Sequence, residues 1–168
     1  MRNIFKKPKY YTLDNILSKG ADYNVIFGER SNGKTYATLA YGIRRYVETG
    51  EQFAYIRRWR EDLKGKRAQS LFANHVANGF IEKITGGKFN EVFYYSNKWF
   101  LSYYNKDTGK REPKEKPMCY GFVLSEQEHE KSSSYPNVTS IVFDEFLTRR
   151  YYLPDEFMLF ISPASMKN

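Results

Sequence analysis

The segment from Gly28 to Thr35 restricts the possible folds of this 168-residue chain more than any other feature. It reads GERSNGKT and matches the phosphate-binding pattern G-x-x-x-x-G-K-S/T at every fixed position. Glycine lets the backbone turn tightly beside phosphate oxygens, and the N–H groups of such a loop form an anion-binding nest. Every residue of this glycine-rich loop is therefore a candidate ATP ligand: Gly28, Glu29, Arg30, Ser31, Asn32, Gly33, Lys34 and Thr35.

The last two residues of the loop have distinct expected roles. The Lys34 ammonium is expected to reach the β- and γ-phosphates, which also makes it a catalytic candidate, and the Thr35 hydroxyl is expected to ligate Mg²⁺. The flanking sequence supplies the context that the pattern requires. Tyr23 to Phe27 predicts a strand, and the apolar spacing from Lys34 to Glu48 predicts a helix that ends at Gly50. The competing interpretation is a glycine turn with a solvated lysine.

A second motif, Ile141-Val142-Phe143-Asp144-Glu145, predicts a buried strand that ends in two carboxylates. Ligands bind at the carboxyl ends of strands in parallel α/β sheets, so both acids are expected at the nucleotide. Asp144 is the second candidate metal ligand after Thr35. Glu145 is the candidate catalytic residue that orients or deprotonates the attacking water, since phosphoryl transfer depends mostly on positioning and charge stabilisation. The competing interpretation is a strand that ends in a polar turn.

The remaining pattern predicts the fold class. Strands and helices alternate along the chain, which favours an α/β domain with a mainly parallel sheet flanked by helices. The aromatic segments around a polar turn predict an antiparallel hairpin added to that sheet. The predicted helices are 13–19, 68–84 and 153–160, and the predicted strands are 53–58, 91–95, 99–104, 118–124 and 139–143, with a charged loop over 105–117.

The charge balance favours a polyanionic partner. The chain has 27 Lys and Arg against 19 Asp and Glu, a net charge of +8 and a pI near 9.4. A basic cluster follows the second predicted strand and is a candidate contact for a DNA backbone: Arg57, Arg58, Arg60, Lys64, Lys66 and Arg67. Arg57 and Arg58 lie at the predicted nucleotide edge, where one of them is expected to touch phosphate or brace the acidic pair. Arg57 is taken as the candidate ATP ligand.

Several single residues complete the predictions. Cys119 is the only cysteine, so no internal disulfide forms, and it is predicted to be core. His75 and His129 are predicted to be surface or helix residues. Tyr10 or Tyr11 could stack on a nucleotide base, although the richness in tyrosine favours an ordinary structural role. No apolar run is long enough to cross a bilayer, so no membrane partner is expected.

Four sequence blocks, in order, resemble the DNA-packaging ATPases of small phi29-type tailed phages. They are Val25 to Ala37, Gly50 to Arg58, Ser125 to Val138 and Thr139 to Phe146. The resemblance implies a P-loop NTPase of the additional-strand, catalytic-glutamate class. It also implies a subunit of a homomeric ring at the portal vertex of an empty capsid, docked on a portal protein or a structural RNA. The ring would hydrolyse Mg-ATP to translocate double-stranded DNA, in the host cytoplasm on the procapsid.

The resemblance assigns residues one at a time. Lys34, Thr35, Asp144 and Glu145 match the motif positions of the family. Lys131 matches a lysine that reaches the nucleotide of the neighbouring subunit, which makes it a catalytic candidate, and a solvated loop lysine is the equal alternative. The resemblance covers residues 1–168 as a single N-terminal ATPase domain, without the nuclease-like C-terminal domain of the family and without its trans-acting arginine.

Three other functions share parts of this pattern. A helicase-like or DNA-transfer motor would use the same ATP chemistry with another DNA partner. A small-molecule kinase would share the glycine-rich loop, but a paired Asp144 and Glu145 suit water activation better. A nucleotide-sensing assembly protein would bind ATP with negligible turnover, and an intact Glu145 argues against it.

Overall fold

The computed structural model describes residues 11–29, 31–129, 134–148, 151–156 and 158–160, and it contains one six-stranded sheet. The strands are β1 (Gln52–Arg57), β2 (Glu91–Tyr95), β3 (Lys98–Tyr104), β4 (Arg111–Pro113), β5 (Cys119–Val123) and β6 (Val138–Phe143). Their order is β2-β3-β5-β1-β6, and β4 pairs with β3.

The chain also has one long helix and several short ones. The α-helices are α1 (Asp14–Leu17), α2 (Lys34–Thr49), α3 (Gly65–Gln69), α4 (Ala73–Ala77) and α5 (Phe80–Thr85). Two 3-10 turns span Arg60–Leu63 and Leu124–His129. Glu156 and residues 158–160 are also helical. None of the helices in the described part of the chain is long and apolar enough to cross a membrane.

The centre of the sheet is parallel and the rest is antiparallel. Strand β1 lies between β5 and β6 and pairs with both in parallel. In contrast, β2 with β3, β3 with β4, and β3 with β5 are antiparallel. Among the described residues, three of five strand pairings are therefore antiparallel, and the sheet is mixed. The predicted fold class, a P-loop domain with a mainly parallel sheet, is wrong in this respect.

The physical reason is that the aromatic hairpin belongs to the core. Trp99 of β3 is fully buried and its indole N–H donates to the Ala68 carbonyl at 2.8 Å. The hairpin therefore pairs directly with β5 and supplies large side chains to the interior. Alternation alone does not show that a hairpin strand also pairs with a further strand of the sheet.

The predicted strand before the glycine-rich loop is not a strand in the structure. Tyr23, Val25 and Phe27 alternate as a strand would require, yet each is 60% exposed or more. The apolar, β-prone composition of this segment gave the prediction, and composition alone does not supply a hydrogen-bonding neighbour.

The predicted helix over 68–84 is three short helices. The chain turns at Gly79, whose positive φ of 67° begins α5, and a further turn separates α3 from α4. Helix α2 agrees with its prediction within one residue at its C-terminal end. It begins after Gly33, which has a φ of 86° that a residue with a Cβ rarely adopts.

The core has two parts, one on each face of the sheet. Strand β1 alternates between them, so Phe53 faces α2 while Ile56 faces the opposite side. Helix α2 approaches the sheet closely at Gly42, where a Cβ would lie 2.7 Å from the Phe53 ring. Cys119 is fully buried, as predicted. His75 is buried inside α4, so its helical position is confirmed and a surface position is wrong.

Candidate active site

The glycine-rich loop surrounds the side chain of Lys34. Its ammonium donates hydrogen bonds to the carbonyls of Gly28 at 2.9 Å and Glu29 at 2.6 Å, and to Oδ1 of Asn32 at 3.0 Å. The positive end of the 16-residue helix α2 lies at the same place, because Lys34 is its first residue. The loop and the lysine therefore form one electropositive unit.

Thr35 and Asp144 are brought together although 109 residues separate them. Thr35 Oγ1 lies 3.2 Å from each carboxylate oxygen of Asp144. A hydrogen bond of 3.2 Å from the Asp144 N–H to the Ile56 carbonyl fixes the aspartate beside the end of β1. A hydroxyl next to a carboxylate is a donor set that Mg²⁺ uses together with phosphate oxygens and water. The two predicted metal ligands thus fit that ion.

Tyr55 also holds Asp144, and no motif in the sequence points to this role. Its hydroxyl donates to Asp144 Oδ2 at 2.9 Å. Burial and the neighbouring Asp144 charge raise the pKa of the Tyr55 phenol, so it remains a hydrogen-bond donor. The available signal was the strand period of two, because Tyr55 and Arg57 lie on the same face of β1. That signal becomes informative only when β1 is known to neighbour β6.

Arg57 connects the two acids. Its Nη2 lies 2.6 Å from Glu145 Oε2 and 3.4 Å from Asp62 Oδ2, and its Nη1 lies 3.6 Å from Asp144 Oδ2. Burial opposes the charge of Arg57, but Tyr55 and the surrounding carboxylates hold the pKa of its guanidinium above the ordinary value. Arg57 is thus a permanent cation between the two acids. Arg57 was predicted either to touch phosphate or to brace the acidic pair. Its contacts with Asp144 and Glu145 are those of the second role.

Glu145 differs from Asp144 in its surroundings. Its side chain is 70% exposed, whereas that of Asp144 is 23% exposed. Its backbone has a φ of 54°, a left-handed conformation that is uncommon for a residue with a side chain. Glu145 also borders a cavity of about 400 Å³, within the range of small-molecule sites. The other lining residues are Tyr55, Arg57, Asp62, Leu63, Arg67, Ala68, Ser70 and Leu71.

The basic cluster after β1 is largely engaged in ion pairs. Arg58 pairs with Glu156, Arg60 with Glu126 and Arg67 with Asp62, in addition to the contacts of Arg57. Lys64 and Lys66 are exposed. The cluster is therefore less available to a DNA backbone than its sequence suggests, because four of its six members already have acidic partners.

Three predicted contacts lie outside the described residues: Arg30, Lys131 and Tyr10. Tyr11 lies beside the loop, since a Cβ placed on Gly33 would be 3.7 Å from the Tyr11 Cβ. The structure thus brings together Lys34, Thr35, Asp144, Glu145 and Arg57.

A family model described as Podovirus DNA encapsidation protein (Gp16) matches residues 5–163. The DNA packaging protein of Bacillus phage phi29 is 32% identical over 153 residues, which cover 89% of this chain and 40% of that protein. The crystal structure of the N-terminal domain of the DNA packaging ATPase from bacteriophage phi29 matches with a TM-score of 0.73 at 29% identity, over 95% of this chain and 72% of that chain. The bacteriophage Phi-29 viral genome packaging motor assembly matches with a TM-score of 0.69 at 29% identity, over 94% of this chain and 42% of that chain.

These similarities complete the correction of the fold class. The chain is a small α/β domain similar to the N-terminal domain of a packaging ATPase, and the expected P-loop ATPase domain is not what the comparison supports. The resemblance to phage packaging proteins is confirmed at the level of the family. The chain spans about two fifths of the length of the phi29 relative.

Proposed function

This chain belongs to the podovirus DNA encapsidation protein family, and from that premise we propose that it binds Mg-ATP at the glycine-rich loop and hydrolyses it to drive double-stranded DNA into an empty capsid. The observation that carries the proposal is the approach of the Thr35 hydroxyl to both oxygens of the Asp144 carboxylate, at 3.2 Å. The two residues come from separate motifs, and their side chains are in contact directly beside Lys34 in the chain.

Each residue of the site has a defined task in this proposal. The Lys34 ammonium has three donors, and the carbonyls of the loop use two of them. When substrate binds, Lys34 exchanges these two bonds for bonds to the β- and γ-phosphates. Thr35 and Asp144 would hold Mg²⁺, which would supply positive charge to balance the phosphate oxygens. Glu145 orients the attacking water and accepts its proton.

Arg57 and Tyr55 set the charge balance around the acids. Arg57 places a fixed positive charge 2.6 Å from the Glu145 carboxylate. Tyr55 keeps Asp144 oriented toward Thr35 through its hydrogen bond. In this proposal Arg57 also binds the nucleotide when its guanidinium separates from Glu145.

The proposed setting follows the family. The subunit acts in a homomeric ring at the portal vertex of the procapsid in the host cytoplasm, against a portal protein or a structural RNA, and the ring moves duplex DNA. Lys131 is the residue proposed to reach the nucleotide of the neighbouring subunit. A net charge of +8 supports an encounter with a polyanion such as DNA.

The test separates nucleotide binding from turnover. Affinity for a fluorescent ATP analogue and release of phosphate are measured for Lys34→Ala, Glu145→Gln and the matched control Lys83→Ala, which alters an exposed lysine of α5. Lys34→Ala is expected to lose binding. Glu145→Gln is expected to keep binding and lose turnover at least ~100-fold. Retained turnover in Glu145→Gln would overturn its role, and normal binding by Lys34→Ala would overturn the site itself.

A further inference from the structure

Arg58 is a buried cation that the roles above do not use. It follows β1 directly, its side chain is 5% exposed, and its guanidinium forms four hydrogen bonds. Nε and Nη2 bind the two carboxylate oxygens of Glu156 at 2.8 and 2.6 Å. A bidentate pair of this kind is geometrically specific, because the planar fork of arginine matches a carboxylate.

The other two bonds reach the backbone just after the acidic pair. Nη1 donates to the carbonyl of Glu145 at 3.2 Å, and Nη2 donates to the carbonyl of Phe146 at 2.5 Å. Glu145 has the left-handed φ of 54°, which costs free energy and persists only where neighbouring contacts impose it. The two bonds from Arg58 are contacts of that kind, since one of them holds the Glu145 carbonyl itself.

The anchor of this arrangement lies in the segment that follows. Glu156 Oε2 also accepts the Leu153 N–H at 3.0 Å, so the carboxylate is fixed within its own turn. Burial opposes the charge of Glu156, but its bonds to Arg58 hold the pKa of that carboxyl below the usual range. The ring of Tyr152, which is 55% exposed, lies 5.3 Å from the guanidinium and covers it. One cation thereby joins β1, the backbone at 145–146 and the turn at 153–156.

We propose that Arg58 is a positioning residue for Glu145, and that Glu156 anchors it, so that the segment 151–156 controls the placement of the carboxylate that activates water. The inference rests on the proposed function for its effect on turnover. The hold of Arg58 on the backbone at 145–146 does not depend on that function. Arg57 and Arg58 then have different roles. Arg57 contacts the side chains of the two acids, and Arg58 fixes the backbone at 145–146.

The test uses two conservative variants and one matched control. Arg58→Lys keeps the positive charge and removes the fork, and Glu156→Gln keeps the shape and removes the negative charge. Arg45→Lys is the control, because Arg45 also binds a glutamate, Glu51, but at the opposite end of β1. Backbone hydrogen exchange over 144–148, kcat for ATP and affinity for the fluorescent ATP analogue are measured for each.

Arg58→Lys and Glu156→Gln are expected to speed exchange over 144–148 and to lower kcat at least ~10-fold, while nucleotide affinity stays within about twofold of wild type. The Arg45→Lys control is expected to leave the exchange, kcat and affinity unchanged.

Unchanged exchange over 144–148 in both variants would overturn the positioning role, whatever the wild-type turnover. Faster exchange with unchanged kcat, or a loss of kcat matched by an equal loss of affinity, would overturn the link to Glu145. Failure of the proposed function is distinct, since it appears as absent turnover in the wild type with the exchange result intact. If Arg58→Lys does not fold, Glu156→Gln decides by the same criteria.

Discussion

The buried His75 predicts a specific dependence of stability on pH. Its ring is 1% exposed and stacks on Tyr36 with 4.0 Å between centroids. Nε2 lies 3.0 Å from the Tyr36 carbonyl, so this nitrogen carries the proton of the neutral ring. Nδ1 is buried without a hydrogen-bond partner among the described residues, and the ring otherwise contacts Phe72 and Phe80. A second proton would therefore place an unpaired N–H and a charge in the core.

The size of the effect follows from linkage. Burial lowers the pKa of His75 below 6.5, and the bond to the Tyr36 carbonyl offsets this only in part. The unfolded chain then binds the proton more tightly, so stability is present above the unfolded pKa and is lost as pH falls toward the folded pKa. If the folded ring stays neutral, the free energy of unfolding falls by ~1.3 kcal/mol between about pH 7.5 and pH 5.5, and by no more than ~1.4 kcal/mol per pH unit below that.

The assay is urea unfolding at about pH 7.5, 6.5 and 5.5 for the wild type, His75→Phe and His129→Gln. His75→Phe keeps an aromatic ring in the core and removes the titrating group, so its stability is expected to lose this part of the pH dependence. His129→Gln removes the other histidine and is expected to keep it. A His75→Phe protein with the same pH dependence as the wild type would refute the reasoning.

Two further predictions concern Asp144, the candidate metal ligand, and the helix that follows the loop. Tyr55→Phe removes the hydrogen bond that orients Asp144, so the Mg²⁺ concentration needed for half-maximal ATP hydrolysis is expected to rise ~10-fold or more, and an unchanged midpoint in a magnesium titration would contradict this. Gly42→Ala places a methyl group against the Phe53 ring, so the free energy of unfolding is expected to fall by ~1–3 kcal/mol, and an unchanged urea midpoint would show that α2 moves away freely.

The sequence predicted the parts of the site that depend on local chemistry. The glycine-rich loop and helix α2 are specified by residues that are neighbours in the chain, and Gly33 takes the backbone conformation that begins the helix. The Asp144 and Glu145 pair was located because a strongly apolar strand precedes it. Both acids were expected near Thr35 because ligands bind at the carboxyl ends of strands in parallel sheets. In the structure β6 pairs in parallel with β1, and Asp144 is the acid that contacts Thr35.

The remainder depended on which strands are neighbours. Tyr55 looks like an ordinary strand residue in the sequence, and its contact with Asp144 appears only when β1 lies against β6. Arg58 was expected at the nucleotide edge, but its bonds to the backbone at 145–146 and to Glu156 appear only in the structure. The antiparallel hairpin was predicted, but the sheet was expected to be mainly parallel, because alternation around Trp99 does not show that β3 also pairs antiparallel with β4 and β5. His75 was assigned no buried role because a single histidine carries no spacing that indicates burial.

The proposed function couples ATP hydrolysis by this chain to duplex DNA through an assembly of subunits. The most direct measurement is the rate of ATP hydrolysis per subunit across rising protein concentration, with and without long duplex DNA, with Glu145→Gln as the inactive control. The rate per subunit is expected to climb with both protein and DNA. A rate that is above the control but unmoved by either would contradict the proposed function.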